Sequence, residues 1–338
     1  MNQTRWWILS ALFLATVINF VDRQAVGVVQ VELLQRLGLN NEQYGYIVAA
    51  FMVGMLLGEF PQGMIMDRFG TRLGLSFAVL WWSTAQALHA FAGSLGAFMG
   101  LRFWLGTGEC GNYSGANKTI AQWFPQRERA FAVGVFNAGS VVGSMVALPL
   151  LTWMLLAYGW EWVFLVPSAF GFVWVVYWMS VLPKVPGPHA ALDEPSPSSS
   201  SLLKQRQVWG VMLCRLLVGP VVQFYLFWLP AYLQKERGLS LKEVGAFGWV
   251  PFLFGDLGSL AGGAVAVALI HHGFSARATR RITMGFGAVC CLASLGIFAA
   301  PNTAVAIGLI SVVLFGHYFL SANMFAAISD LLPAQAIG

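Results

Sequence analysis

The sequence predicts an all-α membrane protein made of two helical bundles joined by a polar linker. Three observations carry this reading. Of 338 residues, 58% are hydrophobic and 10% charged, with a mean hydropathy of +0.69; a soluble domain carries about 25% charged residues. Ten apolar segments approach the roughly 20 residues that a helix needs to cross a bilayer. A proline- and serine-rich stretch divides them into a first six and a last four.

The segments run Trp6–Val29, Tyr44–Met66, Leu73–Phe91, Ala97–Thr119, Ala130–Ala157, Trp160–Leu182, Gln207–Tyr232, Glu243–Ile270, Ile282–Ala299 and Thr303–Ile328. Arg5 followed by an apolar run resembles a secretory leader, but no small-residue cleavage site follows. The first segment is therefore expected to be a retained helix. Residues 1–182 form the first bundle, 183–206 the linker and 207–338 the second bundle. The linker holds Pro183, Pro186, Pro188, Pro195 and Pro197, then a serine run from Ser198 to Ser201. That composition cannot bury enough apolar surface to fold, so a solvated tether is expected.

The bundles read as a repeat. Gly38, Leu39, Gly45, Gly58 and Gly63 recur as Gly238, Leu239, Gly245, Gly258 and Gly263, at one constant offset of 200. Two parallel repeats joined by a linker suggest a two-lobed transporter. On that reading the second lobe, with four segments against six, stops early in an inner loop near Leu331–Gly338.

Basic residues fix the orientation. With the N-terminus inside, the inner loops hold Arg5, Arg68, Arg72, Lys118, Arg127, Arg129, Lys184, Lys204, Arg206, Arg277, Arg280 and Arg281. The outer loops hold Arg36, Lys235, Arg237 and Lys242. N-terminus and linker are thus placed on the cytoplasmic side of the cell (inner) membrane. The net charge of +5 is scattered over loops, so no nucleic-acid partner is expected; the partners are the bilayer, a small solute and protons, and the protein is read as a monomer. Cys110, Cys214, Cys290 and Cys291 all lie in apolar runs, which is neither a disulfide framework nor a zinc pattern. No metal, cofactor or nucleophile–base spacing appears, so an enzyme is not expected.

Charges inside segments are costly at bilayer depth and mark a functional site by default. Asp22 and Arg23 lie side by side in the first segment, Arg102 and Glu109 in the fourth, Arg215 in the seventh and His317 in the tenth. Arg102 and Glu109 are seven residues apart, two turns on one face, roughly 10 Å along the axis. Arg102 and Asp22 fall at similar depth, where they can pair. The alternative for Asp22 and Arg23 is a structural ion pair that locks helices together. Glu59 and Asp256 are open between structural hydrogen bonding and gating, and His317 between a core histidine and a ligand group.

The stretch Gly63-Met-Ile-Met-Asp67-Arg68-Phe-Gly70-Thr-Arg72 resembles the signature loop G-x-x-x-D-R-x-G-x-R of the major facilitator superfamily. Its glycines permit a tight turn, Asp67 can meet a neighbouring helix's N-terminus, and Arg68 and Arg72 hold the cytoplasmic side. The equivalent loop, His271 to Arg281, keeps arginines and loses the acid. The resemblance implies two six-helix lobes, with ten of twelve helices in this chain, and a cavity lined by the first, fourth, seventh and tenth segments.

A narrower resemblance covers the chain. Val21-Asp22-Arg23, Leu101-Arg102 with Gly106 and Glu109, Trp123-Phe124-Pro125 and Glu128-Arg129-Ala130 look like the anion:cation symporter family. Phe136 to Ser140, Trp209-Gly210 to Arg215, Leu241-Lys242-Glu243 and Phe254 to Gly258 are similar to its hexuronate transporters. The resemblance implies proton-coupled import of hexuronates, aldonates or similar sugar acids by alternating access. It matches Asp22 and Glu109 to protonatable acids and Arg23 to the substrate-carboxylate arginine, with Arg102, Arg215 and His317 beside it. Phe20, Met55 and Ser140 replace two tyrosines and a glutamine of the galactonate branch, and hexuronate members can lack the acid kept here as Asp22. The individual sugar acid therefore stays open. An efflux antiporter, or a transport-inactive sensor or fragment, is the alternative reading; the fifth segment's Gly134, Gly139 and Gly143 lack the adjoining proline of drug antiporters.

Overall fold

A computed structural model describes residues 3–182 and 206–331. The linker, apart from Arg206, and the chain after Leu331 lie outside the described residues. The chain divides into two compact units, Met1–Leu192 and Asp193–Gly338.

The first unit contains α1 (Thr4–Val28), α2 (Gln30–Leu37), α3 (Asn41–Leu88), α4 (Leu95–Glu109), α5 (Gly111–Trp123), α6 (Gln126–Tyr158) and α7 (Trp162–Val181). The second contains α8 (Arg206–Lys235), α9 (Leu241–Phe247), α10 (Val250–His271), α11 (Ala276–Cys291) and α12 (Thr303–Leu331). Short 3-10 turns at His89–Phe91 and Leu292–Gly296 follow α3 and α11. Among the described residues, seven helices are long and apolar enough to cross a membrane. The interior prolines Pro61, Pro149, Pro167, Pro220 and Pro230 are of a kind that membrane helices tolerate.

Two segment boundaries differ from expectation. The second and third segments are, as expected, separate helical arms, here both within α3, and they break at Gly70, whose backbone is non-helical (φ 73, ψ 168). That backbone region is essentially reserved for glycine, so the signature stretch carries the turn between the two arms. The fourth segment is stepped at Cys110 into α4 and α5, and the eighth is stepped at Gly248 and Trp249 into α9 and α10.

Local chemistry sets the helix starts. Asn40 caps α3 in a box with Gln43, and Ser240 caps α9 in a box with Glu243; each satisfies two otherwise orphaned amides. Just before them, Gly38 (φ 63) and Gly238 (φ 68) end the preceding helices in the left-handed conformation. The offset of 200 residues in the sequence is therefore also an offset between two copies of one helix-stop, helix-start device.

Each unit contains close glycine-lined helix contacts. In the first, a Cβ on Gly54 would collide with the Phe103 carbonyl oxygen, and one on Gly106 with that of Phe51; α3 and α4 therefore touch backbone to backbone, as small residues allow in membrane helices. In the second, Gly258 and Gly262 of α10 make the same kind of approach to Phe315 and Phe319 of α12. Helix α1 packs on α6 and α7, closing the first unit. Trp174 Nε1 donates to Ala11 O at 2.7 Å and Trp178 Nε1 to Arg72 O at 3.1 Å, tying α7 to α1 and α3. Outward faces stay apolar, with Phe60 and Phe91 each 76% exposed, as lipid contact requires.

Candidate functional site

The first unit gathers its charge where α1, α3 and α4 meet. Relative exposure is 0% for Asp22, 3% for Arg23, 0% for Arg102 and 0% for Glu109. Four ionisable groups thus share one interior, although each is expensive to desolvate alone. They lie there because α1 and α4 both turn these residues toward the core: Asn19, Asp22 and Arg23 on one helix, Phe98, Arg102, Leu105 and Glu109 on the other.

The pairing differs from the one expected. Arg23 Nε donates to Glu109 Oε2 at 2.7 Å, while Arg102 Nη2 reaches the Arg23 carbonyl oxygen at 3.4 Å. The anticipated pairing of Asp22 with Arg102 or Arg23 is not formed: neither Asp22 oxygen has a hydrogen-bond partner among the described residues. Arg102 and Glu109 remain within electrostatic reach of Asp22, and the Trp82 indole stands beside it. The reason is position on the helix: Arg23 points across to α4 at the level of Glu109, whereas Asp22, one residue earlier, faces α3. Phe51 lies between the two guanidinium groups, its ring 5.8 Å from Arg23 Cζ and 5.5 Å from Arg102 Cζ, with Phe20 at 4.8 Å from Arg23 Cζ on α1. These cation–π contacts offset part of the desolvation of the arginines.

The Arg23–Glu109 contact uses half of each group. Arg23 Nη2 and Glu109 Oε1 are buried with no partner among the described residues. Nε and Nη2 form one edge of the guanidinium, the edge that grips a carboxylate in two parallel bonds. The edge is therefore half engaged, and Glu109 keeps one oxygen on which a proton can reside.

The remaining candidates are spread over the molecule. Lys118 Nζ donates to Asp67 Oδ1 at 2.5 Å, so Asp67 meets a lysine side chain of α5 rather than a helix N-terminus. Arg72 Nη2 donates to Met179 O at 2.6 Å, joining the second arm of α3 to the end of α7, and Arg68 Cζ lies 5.6 Å from the Phe69 ring. Glu59 is exposed on α3. In the second unit, His317 is buried against Tyr318, ring centroids 5.4 Å apart. Asp256 is partly buried, with Oδ2 lacking a partner among the described residues. Arg215 lies in α8, and its side chain is outside the described residues.

Sequence reasoning passed over several polar groups of this interior. Asn19, fully buried with both amide atoms unengaged among the described residues, sits one turn before Arg23. Asn112 Nδ2 donates to Thr16 Oγ1 at 3.0 Å, linking α5 to α1. Trp82 and Gln86 on the second arm of α3, and His89 in the turn that follows, are buried as well. The spacing of 82, 86 and 89, one helical face, was the signal available.

Helices of spanning length around a buried charge cluster make this a multi-pass membrane protein. The chain belongs to the Major Facilitator Superfamily, whose family profile matches residues 12–338, and that is a family of transporters. The hexuronate transporter of Escherichia coli strain K12 is 29% identical over 355 residues, covering 98% of this chain and 82% of its own length. The galacturonate transporter of Dickeya chrysanthemi is 29% identical over 324 residues, covering 89% of this chain and 94% of its own. Among solved structures, a bacterial homolog of the human lysosomal transporter Spinster, inward-facing and unoccupied, superposes with a TM-score of 0.82 at 19% identity. It covers 100% of this chain and 78% of that one.

Proposed function

We propose that this protein is a proton-coupled importer of small organic anions, sugar acids foremost, which works by alternating access as a monomer in the cell (inner) membrane. The N-terminus and linker are cytoplasmic on this reading, which rests on the crowding of Lys and Arg into one set of loops. Relatives that carry hexuronate and galacturonate in their names support the substrate class.

The observation that carries the proposal is the half-engaged ion pair of Arg23 and Glu109. With Glu109 ionised, it occupies Arg23 Nε. A proton on Glu109 Oε1 removes its charge and loosens that hold, and Nε and Nη2 together then face a substrate carboxylate. Anion and proton therefore favour each other's binding, and the coupling is reciprocal. Asp22, Arg102, Arg215 and His317 complete the proposed site. Two acids against three arginines leave +1, which rises to +3 when both acids are protonated and so favours an anion. After release, Arg23 and Glu109 re-pair and the empty, deprotonated site returns. Asp67, Arg68, Arg72, Glu59 and Asp256 are assigned to the conformational change.

The test is uptake of radiolabelled galacturonate by liposomes holding the purified protein. An inward proton gradient should drive accumulation above equilibrium, and a protonophore should abolish it. Accumulation indifferent to the gradient would refute the coupling; no movement of any sugar acid would refute the substrate class.

A further inference from the structure

Asp22 faces a donor that the transport cycle above does not use. Trp82, on the second arm of α3, is fully buried, and its indole stands beside the Asp22 carboxyl. Trp82 Nε1 is unengaged among the described residues, and so are both oxygens of Asp22. An indole N–H only donates, and an ionised carboxylate only accepts. Leaving either one buried and unpaired costs free energy. The two groups are thus complementary, adjacent and short of a formed bond.

Packing holds the indole in this place. A Cβ on Gly108 of α4 would lie 2.8 Å from Trp81 Cδ1, 3.0 Å from Trp82 Cβ and 3.1 Å from Trp82 N. Helix α4 therefore presses on the tryptophan pair one residue before Glu109. Trp81 turns outward and its Nε1 donates to Thr107 Oγ1 at 3.0 Å. Neighbouring residues on a helix diverge by about 100°, so anchoring Trp81 outward sends Trp82 inward, where it is 0% exposed. Each acid of the cluster then has a donor on an adjacent helix. Glu109 of α4 has Arg23 Nε of α1, and Asp22 of α1 has the indole of α3.

We propose that Trp82 is a positioning residue whose indole N–H takes up Asp22 whenever that acid is ionised, tying α1 to α3 in the empty, deprotonated site. This rests on the proton-coupled reading above. When a proton adds to an Asp22 oxygen, an O–H bond forms and the carboxyl loses its charge. The hydrogen bond to the indole then falls from a charge-assisted one to a neutral one, about half as strong. The charged groups facing Asp22 are both on α4: Arg102 attracts the ionised acid and Glu109 repels it. Arg23 is next to Asp22 in sequence but turned to Glu109, and Tyr44 and His89 interact with Arg102. A neutral donor suits this position. It steadies the anion without the full positive charge of a lysine or arginine, which would hold Asp22 ionised throughout the cycle. Protonation of the two acids therefore loosens α1 from α4 at Glu109 and from α3 at Trp82 together.

Infrared spectroscopy of the purified full chain tests the contact directly. The carbonyl band of protonated Asp22 is the one that Asp22→Asn removes, and its intensity is followed against pH. The parent is compared with Trp82→Phe and with benzothienylalanine at position 82, which keeps the shape of tryptophan and places sulfur where the N–H was. Loss of the donor destabilises the ionised acid, so the midpoint of the band should move up by about one pH unit or more in both variants, as for a lost hydrogen bond to a charged group. An unchanged midpoint in both would overturn the contact. A rise in Trp82→Phe alone would overturn it too, because only packing has then changed. A parent with no titrating Asp22 band would do the same. Galacturonate uptake by liposomes separates this contact from the coupling: a midpoint that rises as expected, in a parent whose accumulation ignores the proton gradient, would leave the Trp82–Asp22 bond standing and remove the coupled reading.

Discussion

Arg23 and Glu109 are joined through a single hydrogen bond, Nε to Oε2 at 2.7 Å, with one further donor and one further acceptor left unengaged among the described residues at full burial. A glutamine at position 109 reproduces the neutral acid permanently. Glu109→Gln should bind galacturonate with affinity that no longer varies with pH, and exchange it across liposome membranes at a rate near the parent's. Its accumulation ratio under a proton gradient should fall to about one. Accumulation equal to the parent's would make Glu109 structural and move the coupling to Asp22 or Glu59.

Lysine at position 23 keeps the charge and loses the edge of two parallel donors. Arg23→Lys should weaken galacturonate binding by about 10- to 100-fold, equivalent to about 1.4–2.8 kcal/mol. Titration calorimetry on the purified protein measures it. Parent-like affinity would show that the substrate carboxylate is held elsewhere.

Asp22 carries a buried acid without a hydrogen-bond partner among the described residues. Removing its charge relieves desolvation and the repulsion from Glu109, which outweigh the attraction of Arg102 and the Trp82 indole. Asp22→Asn should leave the melting temperature unchanged or raise it by a few degrees, while slowing net uptake and counterflow together. A marked fall in melting temperature would indicate that Asp22 is part of the scaffold instead.

Close helix contacts make a fourth prediction. Valine at Gly106 meets the backbone of α3 at Phe51 and Met55. Over-packing of this kind costs about 1–3 kcal/mol or more, so Gly106→Val should lower the melting temperature or the yield of folded protein. Gly63→Ala, where no atom lies within 4 Å of the added carbon, serves as the matched control and should be neutral. Equal behaviour of the two would refute the glycine contact.

The fold was largely legible because lipid leaves few options: long apolar runs must become helices, and the offset of 200 residues carried the internal repeat into view. Gly70 reads as a loop glycine beside Asp67 and Arg68, and its backbone (φ 73, ψ 168) is where the two arms of α3 break. What the runs concealed was interruption within a segment, at Cys110 and at Gly248 and Trp249. The charged members of the site were visible because a charge in an apolar segment stands out. Which charges meet was not, since Asp22 and Arg23 are adjacent in sequence and face different helices. Gln86 escaped notice because an uncharged polar residue hardly disturbs an apolar run; it is fully buried with neither amide atom engaged among the described residues.

The glycine contact between α3 and α4 also has a mechanical meaning. With Gly54 against the Phe103 carbonyl and Gly106 against that of Phe51, neither helix can slide along the other without a steric collision. Tyr44, Phe51, Arg102 and Glu109 therefore sit on a helix pair locked backbone to backbone, and a change of charge at Glu109 acts on the pair rather than on one helix alone.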